Sequence, residues 1–140
     1  MKSTDKIPIT NFLLQQLPMP LHKRFMANCE LVDLEFGTWL CEPEKKFAHT
    51  YFPLTGFISL ITTIHPPHPL ELGLIGNEGM LGSTLALGID AIPLGALVQG
   101  AGTALRMERE QFKKELQEST ILFEKINRYL YVTIKQLAQA

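Results

Sequence analysis

The sequence predicts a mainly β fold, a jelly roll (double-stranded β-helix) with flanking α-helices. Strand-like segments with alternating apolar residues fill the middle of the chain, and turns rich in glycine and proline separate them. Apolar residues at helical spacing lie mainly at the two ends. The 140 residues, 46% of them hydrophobic and 19% charged, suit one globular domain with a single core.

Two short helical patterns form an N-terminal helical segment over residues 1–30. The first runs from Ile9 to Leu17 and the second from Pro20 to Cys29. Pro20 suits a first helical position because its missing N–H would be unpaired there. The sequence shows neither the apolar core of a signal peptide nor a stretch of ~20 apolar residues. With only two cysteines, we expect a cytoplasmic protein with free thiols, no membrane contact and no iron–sulfur cluster held by cysteines.

A β-roll core is predicted over residues 31–107. Its strand-like segments are short, and each is bounded by turn residues: Leu31 to Phe36, Trp39-Leu40, Phe47 to Leu54, Phe57 to Ile64, Leu70 to Ile75, Gly95 to Gln99 and Thr103 to Met107. Several short strands with frequent turn signals favour an antiparallel sandwich or roll.

A glycine-rich stretch follows the strand that ends at Ile75. It predicts a tight turn over Gly76 to Gly79 and a very short helix over Ser83 to Leu87, which Gly82 opens and Gly88 closes. A glycine before a helix lets a ligand approach the backbone, and the free N–H groups there favour an anion. Two interpretations stay open, an anion site or plain capping of the helix by Ser83 or Thr84.

Two C-terminal helices are predicted over residues 108–140, with a break near Ser119. The longer helix, 120–140, carries one apolar stripe formed by Phe123, Ile126, Leu130, Ile134 and Leu137, and a second formed by Leu122, Tyr129 and Thr133. Two stripes need two partners, so we predict that the roll covers one and the same helix of a second subunit covers the other. The predicted dimerisation residues are those of the first stripe. The expected assembly is a homodimer. The alternative is one wide face packed wholly on its own roll.

Several segments in this order resemble the cyclic-nucleotide-binding-like domain of Crp/Fnr transcription regulators. They are the two N-terminal helices, Gly56 to Leu60, Gly76 to Gly82, Ala96 to Gln99 and the helix that bears Phe112. The resemblance runs from about Leu13 to Ala140. It implies an eight-stranded β-roll with a short phosphate-binding helix and a long dimerisation helix. It also implies a non-catalytic function, in which an effector controls DNA binding allosterically through that helix.

The ligand cassette departs from that of family members that bind cyclic AMP. Gly82 matches the family's glycine, but Ser83 stands in place of the glutamate that holds the ribose, and Pro93 to Ala96 stands in place of Arg-Ser/Thr-Ala. The arginine that would neutralise the phosphate is therefore missing. We expect cyclic AMP not to bind. The candidate ligand-binding positions are Gly82, Ser83, Thr84, Leu85, Gly95 and Ala96.

DNA contact is expected only through a domain that this sequence does not include. The formal net charge is -1 and the basic residues are scattered, unlike a surface that binds phosphate backbones. Crp/Fnr regulators continue into a helix-turn-helix domain after the long helix. The chain stops inside a helical pattern at Ala140 with no helix-ending residue, which favours a truncated sensor domain over a stand-alone module.

Two other classes of function stay open. One is a stand-alone β-roll interaction module whose pocket is closed by its own apolar side chains. The other, less favoured, is a cupin-like metal enzyme, which would need a His-x-His motif that the chain lacks. His65 and His68 in a proline-rich loop give only a weak metal signal. We therefore assign no catalytic or metal-binding residue and no resident cofactor, although the family's fold can hold haem or another small effector.

Overall fold

The computed structural model describes residues 10–62 and 70–139 of the chain. Within this part, its elements follow one another as α1 (Phe12–Gln15), α2 (Met19–Ala27), β1 (Glu30–Leu34), β2 (Trp39–Cys41), β3 (His49–Pro53), β4 (Phe57–Thr62), β5 (Leu70–Ile75), a 3₁₀ helix (Ser83–Leu87), β6 (Gly95–Gly100), β7 (Gly102–Glu108), α3 (Arg109–Glu118) and α4 (Thr120–Ala138). We call the 3₁₀ helix the cassette helix. None of the helices in the described part is both long and apolar enough to cross a membrane.

The strands form two antiparallel sheets, which confirms the predicted β-roll. One sheet has the order β1-β7-β3, and the other has the order β2-β6-β4-β5. Seven strands, and not the implied eight, lie in the described part of the chain. After the turn that follows β5, Leu81 makes only a single bridge to Tyr51. Gly82 then turns the chain away with a φ of +101°, so no further strand forms there.

Several predicted boundaries are too wide, each for a local reason. The first helix is limited to Phe12–Gln15 because Asn11 caps its start, whereas Ile9 lies outside the described residues. Pro20 occupies the second helical position and not the first. β3 begins at His49, since the Phe47 N–H donates to the Asp90 carbonyl (2.8 Å) instead of joining the sheet. Ile64, the predicted end of β4, lies outside the described residues.

Three buried aromatic rings join the helices to the three-stranded sheet. Phe25 of α2 packs edge-on against Phe52 of β3 (5.5 Å between ring centroids) and against Phe112 of α3 (6.3 Å). All three side chains are fully buried. Edge-to-face aromatic contacts of this kind add about 0.5–1.5 kcal/mol beyond the buried area. The N-terminal helices and α3 therefore form one body with the roll.

The long helix α4 begins where the sequence predicts. Ser119 is its N-cap, and the Ser119 hydroxyl accepts a hydrogen bond from the Leu122 N–H (3.1 Å). The first half of α4 is anchored in the core by Leu122 and Ile126. The helix packs against α3 and against the cassette helix. This arrangement brings α4 alongside the glycine-rich stretch.

Candidate functional site

A cavity of about 620 Å³ lies between the β-roll and α4. Its wall includes β5, the turn after β5, the cassette helix, the loop before β6 and the second half of α4. Most of its side chains are aliphatic: Leu13, Leu60, Leu72, Leu74, Ile75, Met80, Leu81, Leu87, Ile92, Leu94, Leu130, Val132, Ile134 and Leu137. A cavity of this size with an apolar wall is typical of small-molecule sites.

The turn after β5 is joined to α4 by the hydroxyl of Tyr129. That hydroxyl accepts a hydrogen bond from the Met80 N–H (3.1 Å) and donates one to the Met80 carbonyl (3.3 Å). Burial raises the pKa of Tyr129, although its bond to the Met80 backbone acts in the opposite direction. The hydroxyl therefore stays neutral and can both donate and accept. We call this contact the Tyr129 joint.

Gly79 makes room for the Tyr129 joint. A Cβ atom at Gly79 would clash with the Tyr129 hydroxyl and the adjoining ring atoms. The same turn is fixed on its other side by Asn11, whose Nδ2 donates to the carbonyls of Pro53 (3.0 Å) and Gly79 (2.9 Å). The Asn11 side chain is buried. The turn is thus held between the N-terminal helix, β3 and α4.

The cassette helix has the predicted limits and the predicted left-handed cap at Gly88 (φ +77°). The interpretation that Ser83 or Thr84 caps its start is wrong, because the N-cap is Gly82 and no side chain bonds there. Thr84 instead donates its hydroxyl hydrogen to the Ile89 carbonyl (3.0 Å), which ties down the far end of the helix. A five-residue 3₁₀ helix has too few aligned peptides to supply much of a dipole.

The predicted ligand-binding positions fall in three places. Gly82, Ser83 and Thr84 line the cavity. Leu85 points into the core and is buried. Gly95 and Ala96 belong to β6, where Gly95 lies under the Trp39 ring and Ala96 is fully buried. Pro93 and Leu94, just before this strand, line the cavity in their stead.

The charged residues at the cavity are Glu78 on the turn and Lys125 and Arg128 on α4. Among the described residues, neither Lys125 nor Arg128 forms an ion pair. Glu78 accepts a hydrogen bond from the Gly76 N–H (3.1 Å). Both cations lie outside the cassette motif, so the motif does not indicate that either of them is at the site. The signal that could have found them is their spacing with Tyr129, which places all three near one side of α4.

The predicted dimerisation stripe of α4 is divided in the structure. Ile126 is 1% exposed and Leu130 is also buried, both against the chain's own body, whereas Phe123, Ile134 and Leu137 are exposed. Including Ile126 in the outward stripe is therefore wrong, because position 126 faces the core together with Leu122. The homodimer itself stays a prediction.

Metal ligation has no support in the described part of the chain. No group of three His, Cys, Asp or Glu side chains within residues 10–62 and 70–139 is placed to hold an ion. His65 and His68, the weak metal signal of the sequence, lie outside these residues.

Solved structures share this fold. The chain aligns with the N-terminal domain of a transcriptional regulator from Streptomyces coelicolor A3(2) (TM-score 0.66, 14% identity, 92% of this chain and 90% of that chain). It aligns with the sensor domain of the transcriptional regulator DNR from Pseudomonas aeruginosa (TM-score 0.68, 14% identity, 91% of this chain and 86% of that chain). It also aligns with the catabolite activator protein of Thermus thermophilus (TM-score 0.73, 14% identity, 91% of this chain and 60% of that chain). No protein-family model and no curated protein matches the sequence.

These neighbours establish the fold of the chain as the cyclic-nucleotide-binding β-roll. The structural neighbours are Crp/Fnr-type transcription regulators and cyclic-nucleotide-binding domains, at 11–20% identity. The chain spans about nine-tenths of the Streptomyces domain but only 60% of the Thermus protein. The cavity described above lies between the β-roll and its long C-terminal helix.

The close approach of Tyr129 to Gly79 predicts that replacing this glycine destabilises the fold. Gly79→Ala should lower the free energy of unfolding by about 1–3 kcal/mol, because the added methyl group displaces the Tyr129 hydroxyl. Gly73→Ala is the matched control, since its Cβ would meet only Leu60, at 4.0 Å. That variant should keep or slightly raise the stability. Urea unfolding of both variants checks this, and equal midpoints for the two would contradict it.

Proposed function

We propose that this chain is the effector-sensing regulatory domain of a Crp/Fnr-type transcription regulator. The observation that carries the proposal is the cavity, whose wall is shared by the cassette residues Gly82 to Thr84 and by α4. A ligand there contacts both the roll and the helix that would lead to a DNA-reading domain. The function is a change of conformational population and not a chemical reaction.

The Tyr129 joint supplies the mechanical link in this proposal. It fixes one point of α4 to the turn that leads into the cassette helix. The α4 residues beyond it, including Ile134 and Leu137, border the cavity. A ligand that fills the cavity favours one position of this second half over another. In a dimer, such a displacement would reorient the domains attached to the two helices.

The lining of the cavity supports an apolar effector and not cyclic AMP. Ser83 and Pro93 line it where cyclic-AMP-binding members have their glutamate and arginine, so the roll offers no cation to a phosphate. A phosphate seated on the cassette would have no charged partner there and would lose the strong form of its hydrogen bonds. Haem would likewise lack an axial histidine or cysteine among the described lining residues.

The exposed side of α4 supports dimerisation through a revised stripe. Phe123, Ile134 and Leu137 are exposed, and together with the half-buried Asn127 and the buried Leu130 they follow the alternating spacing of four and three residues that is typical of a two-stranded coiled coil. Asn127, which replaces Ile126 in this register, is polar. A single asparagine in such a seam specifies alignment and number of strands. Its Nδ2 donates to the Phe123 carbonyl (3.0 Å) in the single chain.

The two alternative functions have less support. An interaction module with a closed pocket would fill the space beside the cassette with its own side chains, but a cavity of about 620 Å³ lies there. A cupin-like enzyme would need a cluster of metal ligands, and the described residues offer none. We therefore keep the regulatory domain as the proposal.

Cyclic AMP provides the first test. Isothermal titration calorimetry of the chain should show no saturable binding at micromolar cyclic AMP, since the cassette lacks both charged partners of the nucleotide. Introducing them together, as Ser83→Glu with Pro93→Arg, should raise the affinity. Micromolar or tighter binding by the unmodified chain would contradict the proposed ligand class.

Dimerisation is tested by a pair of substitutions on α4. Ile134→Lys should convert a dimer to a monomer, because Ile134 is 58% exposed and lies in the revised stripe. Ile121→Lys is the matched control, with 47% exposure but a place outside the stripe. Sedimentation equilibrium reports the mass, and circular dichroism the fold. An unmodified chain that is monomeric, or an Ile134→Lys chain that stays dimeric, would rule out this interface.

A further inference from the structure

We propose that the effector is an elongated apolar carboxylate, with its chain in the cavity and its headgroup beside Lys125 and Arg128. This inference rests on the proposed function, because it assigns a ligand class to the same site. It follows from three features of the wall, which are its aliphatic character, the position of its cations and the length of α4 that it spans.

The aliphatic part of the wall selects an apolar body. Leu60 and Leu72 of the roll, Ile92 and Leu94 of the loop before β6, and Leu137 of α4 all line the cavity. Such surfaces gain free energy mainly by losing contact with water, with little directional preference. They therefore suit a flexible alkyl or aryl chain better than a sugar or a nucleobase, whose polar edges would be left without partners.

The cations at the wall select an anionic headgroup. Lys125 is half-buried and Arg128 is exposed, and in the described part of the chain neither is paired with a carboxylate. Glu78 lines the same cavity, but one of its oxygens is held by the Gly76 N–H. With two cations and one carboxylate, the charged side chains of the cavity wall carry a net positive charge. An arginine beside a lysine binds a carboxylate with charge-assisted hydrogen bonds.

The distance along α4 selects an elongated ligand. Arg128 and Leu137 line the same cavity, and the helix rises by about 14 Å between them. A ligand that contacts the cations and also the far apolar wall must extend in that direction. A short acid such as butyrate cannot reach both, so it should bind far more weakly.

The experiment compares decanoate, decanol and butyrate by calorimetry on the unmodified chain and on two variants. One variant carries Lys125→Gln together with Arg128→Gln. The other, Lys135→Gln, is the matched control, because Lys135 is an exposed cation of α4 outside the cavity wall. Circular dichroism verifies that all three chains have the same helix content.

We expect decanoate to bind saturably, with one molecule per chain, and butyrate to show no binding. The double variant should bind decanoate about tenfold more weakly, because two partly exposed ion pairs are removed. Its affinity for decanol should not change, and Lys135→Gln should bind all three compounds as the unmodified chain does. Added salt should weaken the binding of decanoate but not that of decanol.

Two results would overturn the inference, and they are distinguishable. If decanol binds as tightly as decanoate, or if the double variant keeps its decanoate affinity, the cations do not recognise a headgroup. The proposed apolar effector site then still stands. If neither decanoate nor decanol binds, both the carboxylate inference and the proposed apolar effector site fail.

Discussion

The structure depends on one short turn, from Gly76 to Leu81, whose backbone is bonded from several directions. The Tyr129 hydroxyl holds both polar groups of Met80, and the Asn11 amide holds the Gly79 carbonyl. Leu81 exchanges backbone hydrogen bonds with Tyr51 of β3. A buried polar group left without a partner costs about 1–3 kcal/mol. Moving the helix at either end of the chain away from the turn would leave such a group unpaired, so both helices are held to it.

This constraint explains why a cavity lies beside α4. The buried residues of α4 are Leu122, Ile126 and Leu130, and the helix is held at Tyr129 by the turn. From Tyr131 onwards, α4 has exposed or half-buried residues only. Its second half therefore lies against the roll without filling the space beneath it. A helix that is fixed at one end and loosely packed at the other is suited to report on a ligand.

Local chemistry predicted much of this fold. The alternation of apolar residues predicts the strands to within a few residues. Gly88 predicts the end of the cassette helix, and Ser119 predicts the start of α4. Local patterns do not predict which distant segments of the chain contact each other. The sequence assigned Ile126 to the outward stripe because a helical pattern does not say which side the roll covers, and Asn127 was overlooked for the same reason. Gly79 reads as a turn residue, yet its decisive contact is with Tyr129.

The coupling between the cavity wall and α4 is tested most directly by amide hydrogen exchange of the Tyr129→Phe variant. The change removes one hydroxyl and keeps the ring. If the Tyr129 joint holds α4 to the turn, the Met80 amide and the amides of α4 beyond residue 130 should exchange faster than in the unmodified chain, while those of β7 stay unchanged. Unchanged protection of Met80 and of the second half of α4 would contradict the account.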